Sequence, residues 1–149
     1  MIRQSRLLLL DTNIVIHLVR GGPIGQAIDV RFQLRARLER PLISVVSLGE
    51  ALSFVRRRQW GEARIARLRD LMRELVPVNI DTRPVLDRYA EIDVFLTQSG
   101  RTVSDNDVWI AACAAAADAT LLTTDLDFDP LVPHYLDRVW IDQRNPGGS

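Results

Sequence analysis

The chain has 149 residues, 47% hydrophobic and 26% charged, which is the composition of one globular domain with a buried core. Its 19 basic residues are all arginine and balance 19 acidic residues, so net charge gives no argument for or against a nucleic-acid partner. No apolar run reaches the roughly 18 residues of a membrane span, and the leucine run 7–10 is too short for a secretion signal, so we expect a cytoplasmic protein without membrane contact.

Strands and helices are predicted to alternate along the chain. Short apolar runs that end in turn formers predict strands, and apolar residues spaced at about 3.6 predict helices. In chain order, the elements are a strand at 7–10, helices at 13–19 and 24–40, a strand at 42–46, helices at 48–60 and 62–75, a strand at 76–80, helices at 82–98 and 107–117, and strands at 119–123 and 139–142. Pro41 ends the second helix, Pro77 predicts that the third strand lies at an edge, and Ser104 or Asp105 caps the last helix.

This order of elements predicts the fold class. Strands that are mostly continuous apolar runs, each followed by helix, indicate a parallel sheet covered on both faces. We therefore predict a single-domain α/β/α sandwich with a mainly parallel central sheet of four or five strands over residues 1–142, and a flexible tail at 143–149. Ligands of such folds bind beyond the carboxyl ends of the strands.

Four acidic residues are predicted to meet at that end of the sheet. Asp11 follows the first strand, Glu50 lies in the first turn of the helix after the second, Asp107 opens the helix before the fourth, and Asp125 follows the fourth. Clustered carboxylates repel one another unless a cation is present, and Mg²⁺ prefers oxygen ligands. Taken singly, each acid is also explained as a helix cap, a first-turn residue or a turn former. Their joint placement favours a divalent-metal site suited to phosphodiester hydrolysis.

Other polar and aromatic residues permit two interpretations each. The arginine groups are either a surface for a phosphate backbone or a solvated helix face, and they comprise Arg35, Arg37 and Arg40; Arg56, Arg57 and Arg58; and Arg64, Arg67, Arg69 and Arg73. The tryptophans either stack on bases or pack in the core, which is favoured, and they are Trp60, Trp109 and Trp140. His17 and His134 receive no catalytic role, and we expect His17 to be exposed. The lone cysteine, Cys113, is predicted to be a small buried hydrophobe, which suits a reducing cytosol.

Four segments carry the acids in a recognisable order. They are LLLDTN at 8–13, SVVSLGE at 44–50, NDVWIAA at 106–112 and LLTTDLDF at 121–128. In this order the segments resemble the four motifs of PIN-domain ribonucleases, and the nearest likeness is to VapC-type toxins. The resemblance extends over nearly the whole chain, from about residue 7 to residue 142.

The resemblance implies roles for particular residues. The implied catalytic and metal-binding residues are Asp11, Glu50, Asp107 and Asp125, and the supporting residues are Thr12, Asn13, Asn106 and Thr123. After the fourth strand, Asp125 matches the family position, whereas Asp127 is a less certain candidate that resembles a solvated turn residue. Gly49 departs from the pattern of many relatives, and it either allows a close backbone approach or loosens the helix.

The function implied by the resemblance is that of a metal-dependent endoribonuclease. It would hydrolyse RNA phosphodiester bonds with a water activated by Mg²⁺ or Mn²⁺, as the toxin of a toxin–antitoxin pair. The implied partners are an RNA substrate, a cognate antitoxin protein that blocks the groove, and a second copy in a homodimer. Alternatives are a catalytically silent PIN-like module that binds RNA or protein, and a housekeeping RNA-processing nuclease. A phosphotransfer receiver domain fits poorly, because it needs a lysine and the chain has none.

Overall fold

The computed structural model describes residues 6–148, and its secondary structure alternates strands and helices. The strands are β1 (Leu8–Leu10), β2 (Leu42–Ser44), β3 (Val76–Val78), β4 (Thr120–Thr123) and β5 (Asp137–Trp140). The helices are α1 (Thr12–Arg20), α2 (Pro23–Phe32), α3 (Val45–Arg57), α4 (Glu62–Glu74), α5 (Arg83–Ser99) and α6 (Asp105–Ala116). The ends of the predicted domain and tail at residues 1 and 149 lie outside the described residues.

Within the described residues, the strands form one sheet in the order β3-β2-β1-β4-β5, and every neighbouring pair is parallel. The predicted mainly parallel sheet is therefore confirmed, with five strands. The strand that contains Pro77 lies at one edge, as predicted, because proline has no N–H to donate to a second neighbour. β1 lies at the centre, so the residue that follows it emerges in the middle of the carboxyl edge.

The core lies on both faces of the sheet. Leu8, Leu9 and Leu10 of β1 are each at most 1% exposed, because successive side chains of a strand point to opposite faces and both faces are covered. Leu8 and Leu10 belong to the apolar cluster with α1 to α4, whereas Leu9 belongs to the cluster with α5 and α6. This arrangement confirms the predicted α/β/α sandwich.

The second helix is shorter than its apolar spacing predicted. α2 ends at Phe32, and Gln33 adopts a left-handed conformation with φ of 50°, which stops the helix well before Pro41. Leu34 is buried but Leu38 is fully exposed, so these two leucines do not share a buried helical face. The segment 33–41 instead brings the chain back to the start of β2.

Helix α3 begins three residues earlier than predicted. Ser44 caps it by accepting a hydrogen bond from the Val46 N–H at 3.1 Å, so strand β2 ends where the helix starts. Glu50 consequently lies in the second turn of the helix, and its predicted position in the first turn is wrong. The last strand also shifts, because β5 pairs in register with Thr120–Thr123 and therefore spans Asp137–Trp140 rather than 139–142.

Two single-residue expectations are wrong and two hold. We expected His17 to be exposed, but it is only 9% exposed, because helix α1 packs against the helices beside it. The core was favoured for the tryptophans, but Trp140 is 37% exposed at the end of the edge strand β5. Cys113 is fully buried, and Ser104 caps α6 by accepting from the Asp107 N–H at 3.3 Å. Among residues 6–148, the helices are too short or too polar to cross a bilayer.

Candidate metal centre

The parallel sheet brings the four predicted acids to one pocket at its carboxyl edge. Asp11 directly follows β1, Asp125 follows β4, Glu50 lies on the helix after β2, and Asp107 lies in the first turn of α6. Because parallel strands all end at the same edge, segments distant in sequence converge there. All four acids line one open pocket of about 410 Å³.

Asp11 is the most buried of these carboxylates, with an exposed fraction of 4%. One oxygen, Oδ1, accepts from the Thr12 N–H at 2.8 Å, so Asp11 caps α1. The other, Oδ2, accepts from Thr123 Oγ1 at 2.6 Å and from Asn13 Nδ2 at 3.2 Å. Burial raises the pKa of Asp11 from 3.8 to about 6, although the hydrogen bonds from Thr123 and Thr12 oppose the rise.

Asp107 titrates near neutral pH in the absence of a cation. Burial raises its pKa from 3.8 to about 7, and the negative charges of Asp11, Asp125 and Glu50 contribute to the rise. The pocket therefore disfavours full ionisation of its carboxylates, and a bound cation would relieve that repulsion.

Glu50 is held by two of the predicted supporting residues. Thr12 Oγ1 donates to Glu50 Oε1 at 2.6 Å, and Asn106 Nδ2 donates to Glu50 Oε2 at 3.1 Å. The Thr12 hydroxyl also lies 2.9 Å from Ser47 Oγ, so Thr12 connects α1 with α3. These contacts fix both oxygens of a partly exposed carboxylate that would otherwise sample several rotamers.

Asp127 is an exposed turn residue, as the sequence predicted, and its side chain also lies close to two of the other acids. Asp125 Oδ1 accepts from the Asp127 N–H at 2.9 Å, and this turn brings the two side chains together. One carboxylate oxygen from each of Asp107, Asp125 and Asp127 lies within 4.8 Å of the other two. The charge of Asp125 is the main reason that the pKa of Asp127 is raised.

This oxygen triplet suits a divalent ion. Mg²⁺ binds oxygens at about 2.0–2.1 Å and Ca²⁺ at about 2.3–2.6 Å, so opposite ligands lie about 4.2 Å apart around Mg²⁺ and about 5 Å apart around Ca²⁺. The oxygens of Asp107, Asp125 and Asp127 lie within 4.8 Å of one another, close to these spacings, and they are the hard donors that such ions prefer. Asp107 and Asp125 line the pocket together with Asp11 and Glu50, whereas Asp127, the third member of the triplet, is exposed and lies outside the pocket lining.

The same pocket is also lined by four larger polar residues that sequence analysis did not single out for the site. They are His17, Arg20, Arg58 and Gln143. Burial and the charge of Arg20 lower the pKa of His17, which disfavours its protonated form. The local sequence pattern gives no signal for the two arginines, because Arg20 and Arg58 line one pocket only through the packing of α1 beside α3.

Comparison with known proteins identifies sequence relatives over most of the chain. A family model described as PIN domain matches residues 8–131. Ribonuclease VapC5 of Mycobacterium tuberculosis is 32% identical over 127 residues, which cover 83% of this chain and 86% of the relative. Ribonuclease VapC1 of Haemophilus influenzae is 29% identical over 115 residues, which cover 77% of this chain and 84% of the relative.

Solved structures share the fold. A structure of VapBC2 from Rickettsia felis, bound to a DNA fragment from the promoter, matches with a TM-score of 0.76 and 23% identity over 91% of this chain and 99% of that chain. The structure of VapBC-1 from nontypeable Haemophilus influenzae matches with a TM-score of 0.74 and 24% identity over 90% of this chain and 97% of that chain.

Proposed function

We propose that this chain, which belongs to the PIN-domain family, is an endoribonuclease that depends on a divalent metal ion, Mg²⁺ or Mn²⁺. The observation that carries the proposal is the convergence of Asp11, Glu50, Asp107 and Asp125 on one pocket at the carboxyl edge of the sheet. The sequence relatives support the reaction class, because VapC5 and VapC1 are named ribonucleases.

The protein residues have distinct roles in this proposal. Asp107, Asp125 and Asp127 would hold an ion, since their oxygens lie within 4.8 Å of one another. Asp11 and Glu50 would complete the site from either side, each oriented by hydroxyl and amide donors. A bound divalent ion supplies a Lewis acid that lowers the pKa of water and stabilises charge on the phosphoryl oxygens.

We also propose that the protein is the toxin of a toxin–antitoxin pair, with a cognate antitoxin protein and a second copy of itself as partners. The fold is that of the toxin–antitoxin structures named VapBC, and the sequence relatives are named VapC. Expression of the protein should then arrest bacterial growth, and co-expression of the protein encoded beside it should restore growth. Growth arrest that persists in an Asp107→Asn variant would contradict an arrest caused by RNA cleavage.

RNA cleavage by the purified protein tests the proposed reaction. We expect internal cuts in total RNA with Mn²⁺ or Mg²⁺, and none with EDTA. Asp107→Asn should reduce the rate at least about 100-fold, because it removes a proposed metal ligand. Asp105→Asn is the matched control, since Asp105 is an exposed acid of the same helix turn that does not line the pocket.

Two results would overturn the proposal. Cleavage that continues in EDTA and in Asp107→Asn would exclude a metal-dependent mechanism at this pocket. Mn²⁺ binding measured by calorimetry, without any RNA cleavage, would instead support a catalytically silent module.

A further inference from the structure

Helices α1 and α3 carry matching series of side chains along the pocket. On α1 the series is Thr12, Ile16 and Arg20, and on α3 and its carboxyl end it is Glu50, Phe54 and Arg58, and all six line the pocket. Residues four apart lie on one face of a helix, so each series forms a continuous stripe. The pocket is therefore acidic at the start of α1 and at the second turn of α3, and basic where both helices end.

Aromatic rings hold the two arginines at the basic end. The Arg20 guanidinium lies 5.7 Å from the centre of the Trp60 ring, and the Arg58 guanidinium lies 5.1 Å from the centre of the Phe54 ring. The Phe54 and Trp60 rings contact each other edge to face at 5.4 Å, so both arginines rest on one aromatic pair. Stacking on a ring face restricts a guanidinium while its N–H donors stay free to bind a ligand.

Neither arginine is neutralised by a protein carboxylate. Among residues 6–148, Arg20 and Arg58 take part in no ion pair, although acids line the same pocket. Arg58 lies eight residues beyond Glu50, roughly 12 Å along the helix axis, which separates the two charges. Two exposed, restricted cations thus lie beside the carboxylates without a partner of opposite charge.

We propose that Arg20 and Arg58 form a phosphate subsite that binds the RNA backbone next to the cleaved bond. This inference rests on the proposed function and names how the substrate is held. The planar fork of arginine matches the oxygens of a phosphate and binds them with charge-assisted hydrogen bonds. A single strand lying along α1 and α3 would place one phosphate at the carboxylates and another phosphate, about two nucleotides along the strand, at the arginines. Arg20 belongs to none of the arginine groups that the sequence suggested.

RNA binding measured without cleavage tests the subsite. We would titrate a fluorescent single-stranded RNA with wild type, Arg20→Gln, Arg58→Gln and the double variant, in EDTA, and record anisotropy. Each single variant should weaken binding about tenfold, the loss expected for one charge-assisted contact. The double variant should also reduce the slope of log affinity against log salt by about 1.4, which corresponds to two phosphate contacts on a single strand.

Arg69→Gln is the matched control. Arg69 is an exposed arginine of α4 that lies outside the pocket, so its removal should change RNA affinity less than about twofold. Mn²⁺ affinity should be equal in wild type and the double variant, which verifies that the carboxylate cluster is intact.

RNAs with single neutral methylphosphonate linkages locate the contact. Wild type should bind an RNA with one neutral linkage near the cut more weakly than it binds the unmodified RNA. The double variant should bind both RNAs with the same affinity. The subsite is refuted if the double variant binds RNA as tightly as Arg69→Gln does. It is also refuted if the double variant loses only the binding of an acidic protein partner. Arginine-dependent RNA binding without RNA cleavage would support the subsite and refute the proposed function, so the two failures are distinguishable.

Discussion

At the scale of single residues, the hydroxyl of Thr123 joins two of the acidic segments. Thr123 is fully buried, its Oγ1 donates to Asp11 Oδ2 at 2.6 Å, and the same oxygen accepts from the Asp125 N–H at 3.0 Å. Asn13 makes a second connection, because its Oδ1 accepts from the Thr124 N–H at 3.2 Å. The supporting residues implied by the sequence therefore lie where they can orient the carboxylates, although their effect on activity stays a prediction.

Replacing Thr123 by valine should lower the affinity for a metal ion while lowering the free energy of unfolding only moderately. Thr123→Val removes a hydrogen bond that lowers the pKa of Asp11, so that pKa should rise further. We expect Mn²⁺ affinity at pH 7 to fall about tenfold or more, as for other residues that orient metal ligands. Calorimetric titration with Mn²⁺ at several pH values measures both effects.

Thr120→Val is the control for that measurement. Thr120 lies on the same strand, but its hydroxyl bonds to Asp137 Oδ2 at 2.9 Å, outside the pocket. Each variant loses two hydrogen bonds of its hydroxyl group, to Asp11 and Asp125 for Thr123 and to Asp137 and Arg6 for Thr120, so both should lose about 1–3 kcal/mol of the free energy of unfolding. Equal Mn²⁺ affinities of the two variants would show that Thr123 has no particular role in the site.

At the scale of the elements, the contact between α1 and α2 depends on a glycine. A Cβ atom on Gly25 would lie 2.2 Å from the His17 carbonyl oxygen, which no real side chain tolerates. Gly49 on α3 is different, because a Cβ atom there would meet nothing within 4 Å. Of the two explanations for Gly49, close backbone approach is therefore excluded, and the glycine only reduces helix stability.

Alanine at these two glycines should have opposite effects on stability. Gly25→Ala forces α1 away from α2 and should lower the free energy of unfolding by about 1–3 kcal/mol, as in other overpacked contacts. Gly49→Ala removes backbone freedom from the unfolded chain and should raise it by about 0.5–1 kcal/mol. Urea unfolding followed by circular dichroism measures both, and a Gly25→Ala variant as stable as wild type would refute the close contact.

At the scale of the whole molecule, the carboxylate pocket opposes folding when no cation is bound. The pKa of Asp11 is about 6 and that of Asp107 about 7 in the folded protein, against an ordinary value of 3.8. Between pH 4 and 7 the folded state thus binds more protons than the unfolded state does, so this contribution to stability decreases as the pH rises. His17 acts in the opposite direction, because its lowered pKa disfavours the folded state in acid.

Thermal unfolding of wild type and of Asp107→Asn in EDTA should reveal this dependence of stability on pH. Asp107→Asn cannot ionise, so it should be more stable than wild type at pH 8, by about 1 kcal/mol after allowance for solvent screening, and the advantage should shrink as the pH falls below 7 and vanish near pH 4. Mn²⁺ at about 100 times its Kd should stabilise wild type at pH 8 by about 2.7 kcal/mol. A constant difference between wild type and Asp107→Asn from pH 5 to pH 8 would contradict the raised pKa of Asp107.

The sequence by itself determined the order of the elements, the fold class and the place of the four acids. It could do so because these features follow from local signals: apolar runs, turn formers at strand ends, and the rule that parallel strands end at one edge. The supporting residues Thr12, Asn13 and Asn106 were instead implied by the resemblance to PIN-domain ribonucleases, since they are chain neighbours of the acids in the matching motifs.

Only the tertiary structure decided which further side chains share the pocket. Arg20 and Arg58 line one pocket because α1 packs beside α3, and at the border of that pocket a turn after β4 brings an oxygen of Asp127 within 4.8 Å of one of Asp107. The early end of α2 and the early start of α3 are set by a left-handed residue and by a serine cap, which the apolar spacing does not register. Contacts between distant segments depend on how helices pack and how backbones turn, and a single sequence does not encode these in its local pattern.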